Sequence, residues 1–161
     1  LFSNRTLRNF KNGIDEILEE NLILIIDDMP ERHDFFRKLL LIVFERKSDE
    51  IYHIYDYENA VDFLERHYDE IEQLFLDHDF DCEMHHPDNP NDREKTGSDV
   101  ANLMVEKKWN IPTIVHSINP PGSKYIYDTL YSAGIHVERI PFYYFTHKWG
   151  EVIEDAESPE E

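Results

Sequence analysis

Three short apolar runs in this chain each stop on side chains that can hold a proton, a metal ion or a phosphate. Residues 22–26 run into Asp27 and Asp28, residues 74–76 into Asp77 and Asp79, and residues 111–115 into His116 and Ser117. Continuous aliphatic runs of this length, bounded by polar residues, read as strands covered on both faces. If the strands are parallel, their carboxyl ends share one edge of the sheet, the edge at which open α/β sheets bind ligands. Four carboxylates gathered there repel one another strongly at low dielectric unless a divalent cation lies between them, and hard oxygen donors suit Mg²⁺ or Mn²⁺. The runs therefore predict a metal-dependent phosphate site.

The segments between the runs alternate with them. Leu7, Phe10, Ile14, Ile17 and Leu18 recur at helical spacing, so residues 6–19 are expected to form an amphipathic helix ahead of the first strand. Pro30 sits at a favourable first-turn position, and Phe35, Phe36, Leu39, Leu40, Val43 and Phe44 carry a helix to about residue 45. A β-rich run over 51–55 precedes a helix over 58–71 and a strand over 73–76. Residues 80–97 are charged and aperiodic, a long loop directly after the second acidic cluster. Ser98 or Asp99 can cap a helix to about residue 108, and Pro112 opens a strand over 113–115. Pro120, Pro121 and Gly122 predict a turn, followed by a helix over 123–132, a stop at Gly134 and a strand over 135–140. The order βαβαβαβαβ predicts a parallel sheet with helices on both faces and right-handed crossovers. Residues 142–149 are aromatic without a clean helical repeat, so a last helix is expected to be shortened or missing, with the N-terminal helix covering the face left bare.

At 161 residues with 40% apolar content the chain can bury one core and is too short for two ordinary domains. It divides into an N-terminal helical extension (1–21), an α/β domain (22–150) and an acidic, solvated tail (151–161). The net charge of −19, from 35 acids against 16 bases, argues against duplex DNA, whose backbone needs clustered Lys and Arg. A cation or a basic protein surface is the partner such a charge favours, although it serves solubility equally well. The lone Cys82 excludes an internal disulfide framework and fits a reducing compartment. No stretch approaches the ~20 apolar residues of a membrane span, so a cytoplasmic location is expected.

Leu24–Ile25–Ile26–Asp27–Asp28, Phe75–Leu76–Asp77, Pro112 to Ser117 and Ile140–Pro141–Phe142 resemble, in order and spacing over roughly residues 22–142, the receiver domains of bacterial response regulators. The resemblance implies a five-stranded parallel sheet in the flavodoxin-like order 2-1-3-4-5. It implies Mg²⁺ on the acidic pair Asp27 and Asp28, a phosphoryl acceptor at Asp77 and a hydroxyl partner at Ser117. Ile140 stands before Pro141 where that family carries Lys, and Arg139 lies on the other side of a regular strand. An aspartyl-phosphate here lacks that direct charge partner, worth ~1–3 kcal/mol. The motifs Leu76–Asp77–His78–Asp79 and His116–Ser117–Ile118–Asn119–Pro120, with the long insertion between them, resemble a divergent branch of receiver-like domains proposed to process cyclic phosphates. Phosphoester chemistry, on a phosphorylated small molecule or an RNA end, is what that likeness implies.

Each candidate residue has a structural alternative. Asp27 and Asp28 either bind metal or cap the following helix. Asp77 is either a nucleophile or a metal ligand, and the missing Lys favours the second role. Asp79 projects to the same side as Asp77 if the strand continues, as a fourth carboxylate, or is simply solvated. His78 and His116 suit acid–base catalysis, while His116 can instead point into the core. Ser117 and Asn119 are placed to hydrogen-bond phosphate oxygens, next to a helix start at Gly122–Ser123 whose free N–H groups favour anions. His85 and His86 offer a second metal site or an incidental pair in a polar loop. Three functions stay open: a metal-dependent phosphoesterase, a non-catalytic acidic interaction module derived from a receiver, and a phosphoacceptor response regulator.

Overall fold

The computed structural model describes residues 22–80 and 95–157. The helix expected over residues 6–19, Cys82, the His85–His86 pair and residues 158–161 lie outside them. Within them the chain forms β1 Leu22–Ile26, α1 Pro30–Lys38, β2 Ile51–Ile54, α2 Tyr57–His67, β3 Ile71–Leu76, α3 Gly97–Lys107, β4 Thr113–Val115, α4 Pro120–Ser132, β5 Val137–Arg139 and α5 Phe142–Glu157. The five strands are all parallel, in the order β2-β1-β3-β4-β5. This is the flavodoxin-like arrangement expected from the sequence.

Strand alternation splits the core in two. Leu24 and Ile26 of β1, with Leu74, Leu76 and Val115, face Ala60 and Leu64 of α2, Val100, Ala101 and Met104 of α3, and Ile126 and Leu130 of α4. Ile23 and Ile25, with Phe75 and Ile114, face Phe36 of α1 and Phe145 and Ile153 of α5. Both faces of β1 and β3 are thus buried, which is why these runs are apolar without alternation. Among the described residues no helix is long and apolar enough to cross a membrane.

Several boundaries move for identifiable reasons. α1 continues as a π-helical turn over Leu39–Val43, so the apolar run stays helical with a changed period. α2 stops at His67, and Ile71 opens β3 instead of ending the helix. Thr96, not Ser98 or Asp99, caps α3: its hydroxyl accepts from the Ser98 amide while Asp99 Oδ2 accepts from the Thr96 amide at 2.9 Å. Asn119 caps α4, which places Pro120 and Pro121 in the first turn rather than in a loop before the helix.

The larger correction is at the carboxyl end. The last helix is neither short nor missing: α5 spans 16 residues and includes the acidic run as far as Glu157. Phe145 and Ile153 are buried, and Phe142 and Trp149 pack partly buried against the same cluster. These four residues recur at helical spacing, a stripe hidden in the sequence by the intervening Tyr143 and Tyr144, which are exposed. Phe145 stands edge-on to Phe36 at a centroid distance of 5.3 Å, locking α5 to α1. Phe145→Ala is expected to cost about 3–5 kcal/mol and Tyr143→Ala less than about 0.5 kcal/mol in urea unfolding. Equal losses would mean that α5 does not cover this face.

Candidate functional site

Sheet register builds the site. Ile26 pairs with Leu76, and Leu76 with Val115, so the next residue on each strand, Asp27, Asp77 and His116, emerges level at the carboxyl edge. All three are buried, at 0%, 2% and 0% exposure, and each offers a ligand atom within 4.8 Å of the others. Among the described residues this is the one cluster of three or more such groups that can hold a metal ion. Asp28 is half-buried beside it and Asp79 is exposed, and neither belongs to the cluster.

Asp27 is heavily bonded. Its Oδ2 lies 2.6 Å from His116 Nε2, and its Oδ1 accepts the Met29 amide at 2.8 Å, which turns the chain into α1. Burial pushes its carboxyl up, but the His116 hydrogen bond and charge, the Met29 amide and Arg32 outweigh burial, and the group sits below the ordinary carboxylate range. The Asp27 carbonyl accepts from His33 Nε2 at 2.6 Å, and His33 Nδ1 lies 2.8 Å from His53 Nδ1. A carbonyl only accepts, so in the neutral His33 the Nδ1 atom must accept in turn from His53. Burial holds both imidazoles in that neutral form, depressing His33 and taking His53 down to about 4.

Asp77 is less well served. Burial pushes its carboxyl up to about 6 and the Asp27 charge adds to this, against opposing pulls from His116, Arg32 and the His78 amide. Arg32, in the first turn of α1, places Nη1 3.4 Å from both Asp27 Oδ2 and Asp77 Oδ1. Its guanidinium lies over the Phe142 ring, 5.2 Å from the centroid. Sequence reasoning singled out neither Arg32 nor the buried His33. Their position one turn after the acidic pair was the available signal, but only the fold says which way they point.

His116 packs edge-on against Phe36 and does not reach solvent, so it orients Asp27 rather than facing a substrate. Its Nδ1 is buried without a hydrogen-bond partner. His78 sits at the rim. Its Nδ1 is 2.8 Å from Asp79 Oδ1, and Asn119 Nδ2 donates to both Asp79 oxygens at 3.2 and 3.3 Å. Asn119 Oδ1 accepts the Gly122 amide, so Asn119 joins the α4 cap to the His78–Asp79 pair. The Ser117 hydroxyl is buried and accepts the Asn119 amide at 3.0 Å.

Two glycines permit this closeness. A Cβ at Gly97 would overlap the Asp77 carbonyl oxygen, and one at Gly122 would overlap the His78 ring. The start of α4 is not an open anion site, contrary to the expectation for Gly122–Ser123. Pro120 and Pro121 have no N–H, Gly122 donates to Asn119 Oδ1 and Ser123 to the Asn119 carbonyl. Arg139 points to the same helix, donating to Ser123 Oγ at 2.8 Å.

Fold and site together define a receiver domain: parallel order 2-1-3-4-5, an acidic residue after β1, an Asp after β3 and a hydroxyl after β4. The chain belongs to the cyclic-phosphate processing receiver domain family, which matches residues 22–132. No protein with a curated description matches the sequence. Solved structures similar in fold include the phosphorylated cyanobacterial phytochrome response regulator RcpA, at 15% identity over 86% of this chain and 91% of that one, TM-score 0.53. The response regulator TrrA of Thermotoga maritima, solved with Mg²⁺ and BeF, is 16% identical over 84% and 97%, TM-score 0.52. A response regulator receiver domain of Rhodospirillum rubrum is 16% identical over 86% and 95%, TM-score 0.50.

The raised Asp77 carboxyl has a consequence for stability. Its folded-state value of about 6 lies above the ordinary 3.8, so the folded state binds the extra proton between those values and loses stability as pH rises through that window. At about 1.4 kcal/mol per unit the loss is about 3 kcal/mol. In metal-free buffer Asp77→Asn should therefore raise the melting temperature at pH 7, with the gain shrinking toward pH 4. A melting temperature below that of the parent at pH 7 would contradict this.

Proposed function

We propose that the pocket holds a divalent cation, Mg²⁺ or Mn²⁺, and acts there on a phosphoester, with a cyclic phosphate as the substrate class. One observation carries the reading. Asp27 and Asp77 are buried side by side with a single monovalent guanidinium between them, 3.4 Å from each. The pocket is thus short of positive charge, and a divalent ion would supply it. The donor set fits: two hard carboxylate oxygens, with Asp28 next in the chain and the His116 imidazole in the same buried cluster. The family description supports the cyclic phosphate, and the Mg²⁺ and BeF held by TrrA, similar in fold, support the ion.

When bound, the ion would polarise the phosphoryl group and lower the pKa of a ligated water. The protein's own groups have separable tasks. Asp27, fixed by His116 and the Met29 amide, and Asp77 hold the cation, with Asp28 within the same turn. Asp79 lies outside the cluster and is better used on His78: accepting from Nδ1–H, it leaves the His78 Nε2 lone pair free to accept a proton. Asn119 braces that pair, and the Ser117 hydroxyl keeps its own proton for a phosphate oxygen. In hydrolysis, water adds across one P–O bond of the ring: its oxygen bonds to phosphorus as that ring bond breaks, His78 takes one of its protons, and His78 passes that proton to the departing oxygen, ending neutral as it began. Ile140 in the lysine position argues against ordinary phosphoacceptor signalling at Asp77.

The test is hydrolysis of a panel of cyclic and linear phosphoesters with Mg²⁺ or Mn²⁺. Metal-dependent ring opening is expected, with Asp77→Asn and His78→Ala each slower by about 10²–10⁴-fold. Activity unchanged in both variants would contradict the assignment. Silence across the panel from a folded, metal-binding protein would favour the interaction module.

A further inference from the structure

We infer that Arg32 is the anion-binding cation of this pocket, replacing from α1 the lysine that β5 lacks, and that it exchanges with a divalent ion at the Asp27–Asp77 pair. The inference rests on the metal reading above and assigns the pocket its missing phosphate ligand.

The position argues for it. Arg32 leaves the first turn of α1, and its guanidinium lies over Phe142, the residue directly after Ile140–Pro141. The Phe142 amide is bonded to the His116 carbonyl at 2.9 Å, which ties that ring to the site edge. A cation has therefore been placed at the end of β5 from the opposite side of the pocket. Its side chain is 12% exposed, against 0% for Asp27 and 4% for Asp77, so it lies between the buried carboxylates and the solvent from which a substrate arrives.

The grip is loose. Charge-assisted N–H···O bonds are normally about 2.7–2.9 Å, and arginine holds an oxyanion best with two nitrogens at once. Here one nitrogen, Nη1, meets both carboxylates at 3.4 Å, without the paired geometry. Arg32 offsets the charge of the acids from nearby rather than binding either tightly. Asp27 Oδ2 and Asp77 Oδ1 are also oxygens a divalent ion would need, and an ion and a guanidinium repel each other at that range. Occupancy by the ion therefore frees the guanidinium toward the mouth, where its planar set of donors matches phosphate oxygens. Ion first and anion second is the order this dictates, with positive coupling between them.

The experiment is calorimetric titration of the full chain and its Arg32→Met and Arg32→Lys variants with Mn²⁺, then of the Mn²⁺-loaded proteins with inorganic phosphate. Arg32→Met keeps the aliphatic contact with Phe142 and removes the competing charge. It is expected to bind Mn²⁺ about tenfold more tightly and phosphate about tenfold less tightly. Arg32→Lys, which keeps the charge and loses the planar fork, should bind Mn²⁺ like the parent and phosphate more weakly. Parent-like Mn²⁺ affinity in Arg32→Met, or parent-like phosphate affinity in both variants, would overturn the role of Arg32 while leaving the metal reading intact. No Mn²⁺ binding by any of the three would overturn both.

Discussion

A carboxylate held at zero exposure, Asp27, organises this structure. An unpaired charge so placed costs several kcal/mol, and the surrounding elements are positioned to avoid that cost. β4 sends His116 to one oxygen, the turn into α1 sends the Met29 amide to the other, and α1 returns Arg32 to the carboxyl and His33 to the carbonyl. One residue thus fixes the end of β1, the start of α1 and the tip of β4. Asp77, level with it on β3, receives much less support and is left with a carboxyl raised to about 6. The contrast defines the pocket: one acid is satisfied by the protein, and the other has far fewer partners.

The remaining polar groups are consumed in building a rim. Asn119 gives its oxygen to the α4 cap and its amide to Asp79, Asp79 meets His78, and Gly122 lies against the His78 ring. Because prolines occupy the first turn of α4, the helix start gives the site rigidity instead of N–H donors. The start of α4 therefore offers no free N–H to an anion.

Much of the fold could be read from the chain because parallel strands buried on both faces leave unbroken aliphatic runs, and Asp27, Asp77 and His116 end three of them. Strand register then carries adjacency in sequence into adjacency in space. What could not be read depends on direction and on distant contacts. His116 meets Asp27 across 89 positions, and periodicity cannot say whether a histidine on a central strand faces a pocket or a core. Asn-Pro-Pro-Gly reads as a turn but acts as a cap with prolines in the first helical turn. α5 was obscured because exposed tyrosines interrupt its buried stripe of Phe142, Phe145, Trp149 and Ile153. The absence of a lysine before Pro141 is legible in the sequence, but that Arg32 reaches Asp27 and Asp77 depends on how α1 packs against the sheet edge.

If Asp27 and Asp77 form a divalent-ion site, the ion must bind between their carboxylates. A crystal grown with saturating Mn²⁺, with data collected to record manganese anomalous scattering, tests it most directly. One anomalous peak is expected between the two carboxylates, in bonding range of an oxygen of each, with the Arg32 guanidinium moved away from both. No peak there, with Arg32 still bridging the acids, would contradict it.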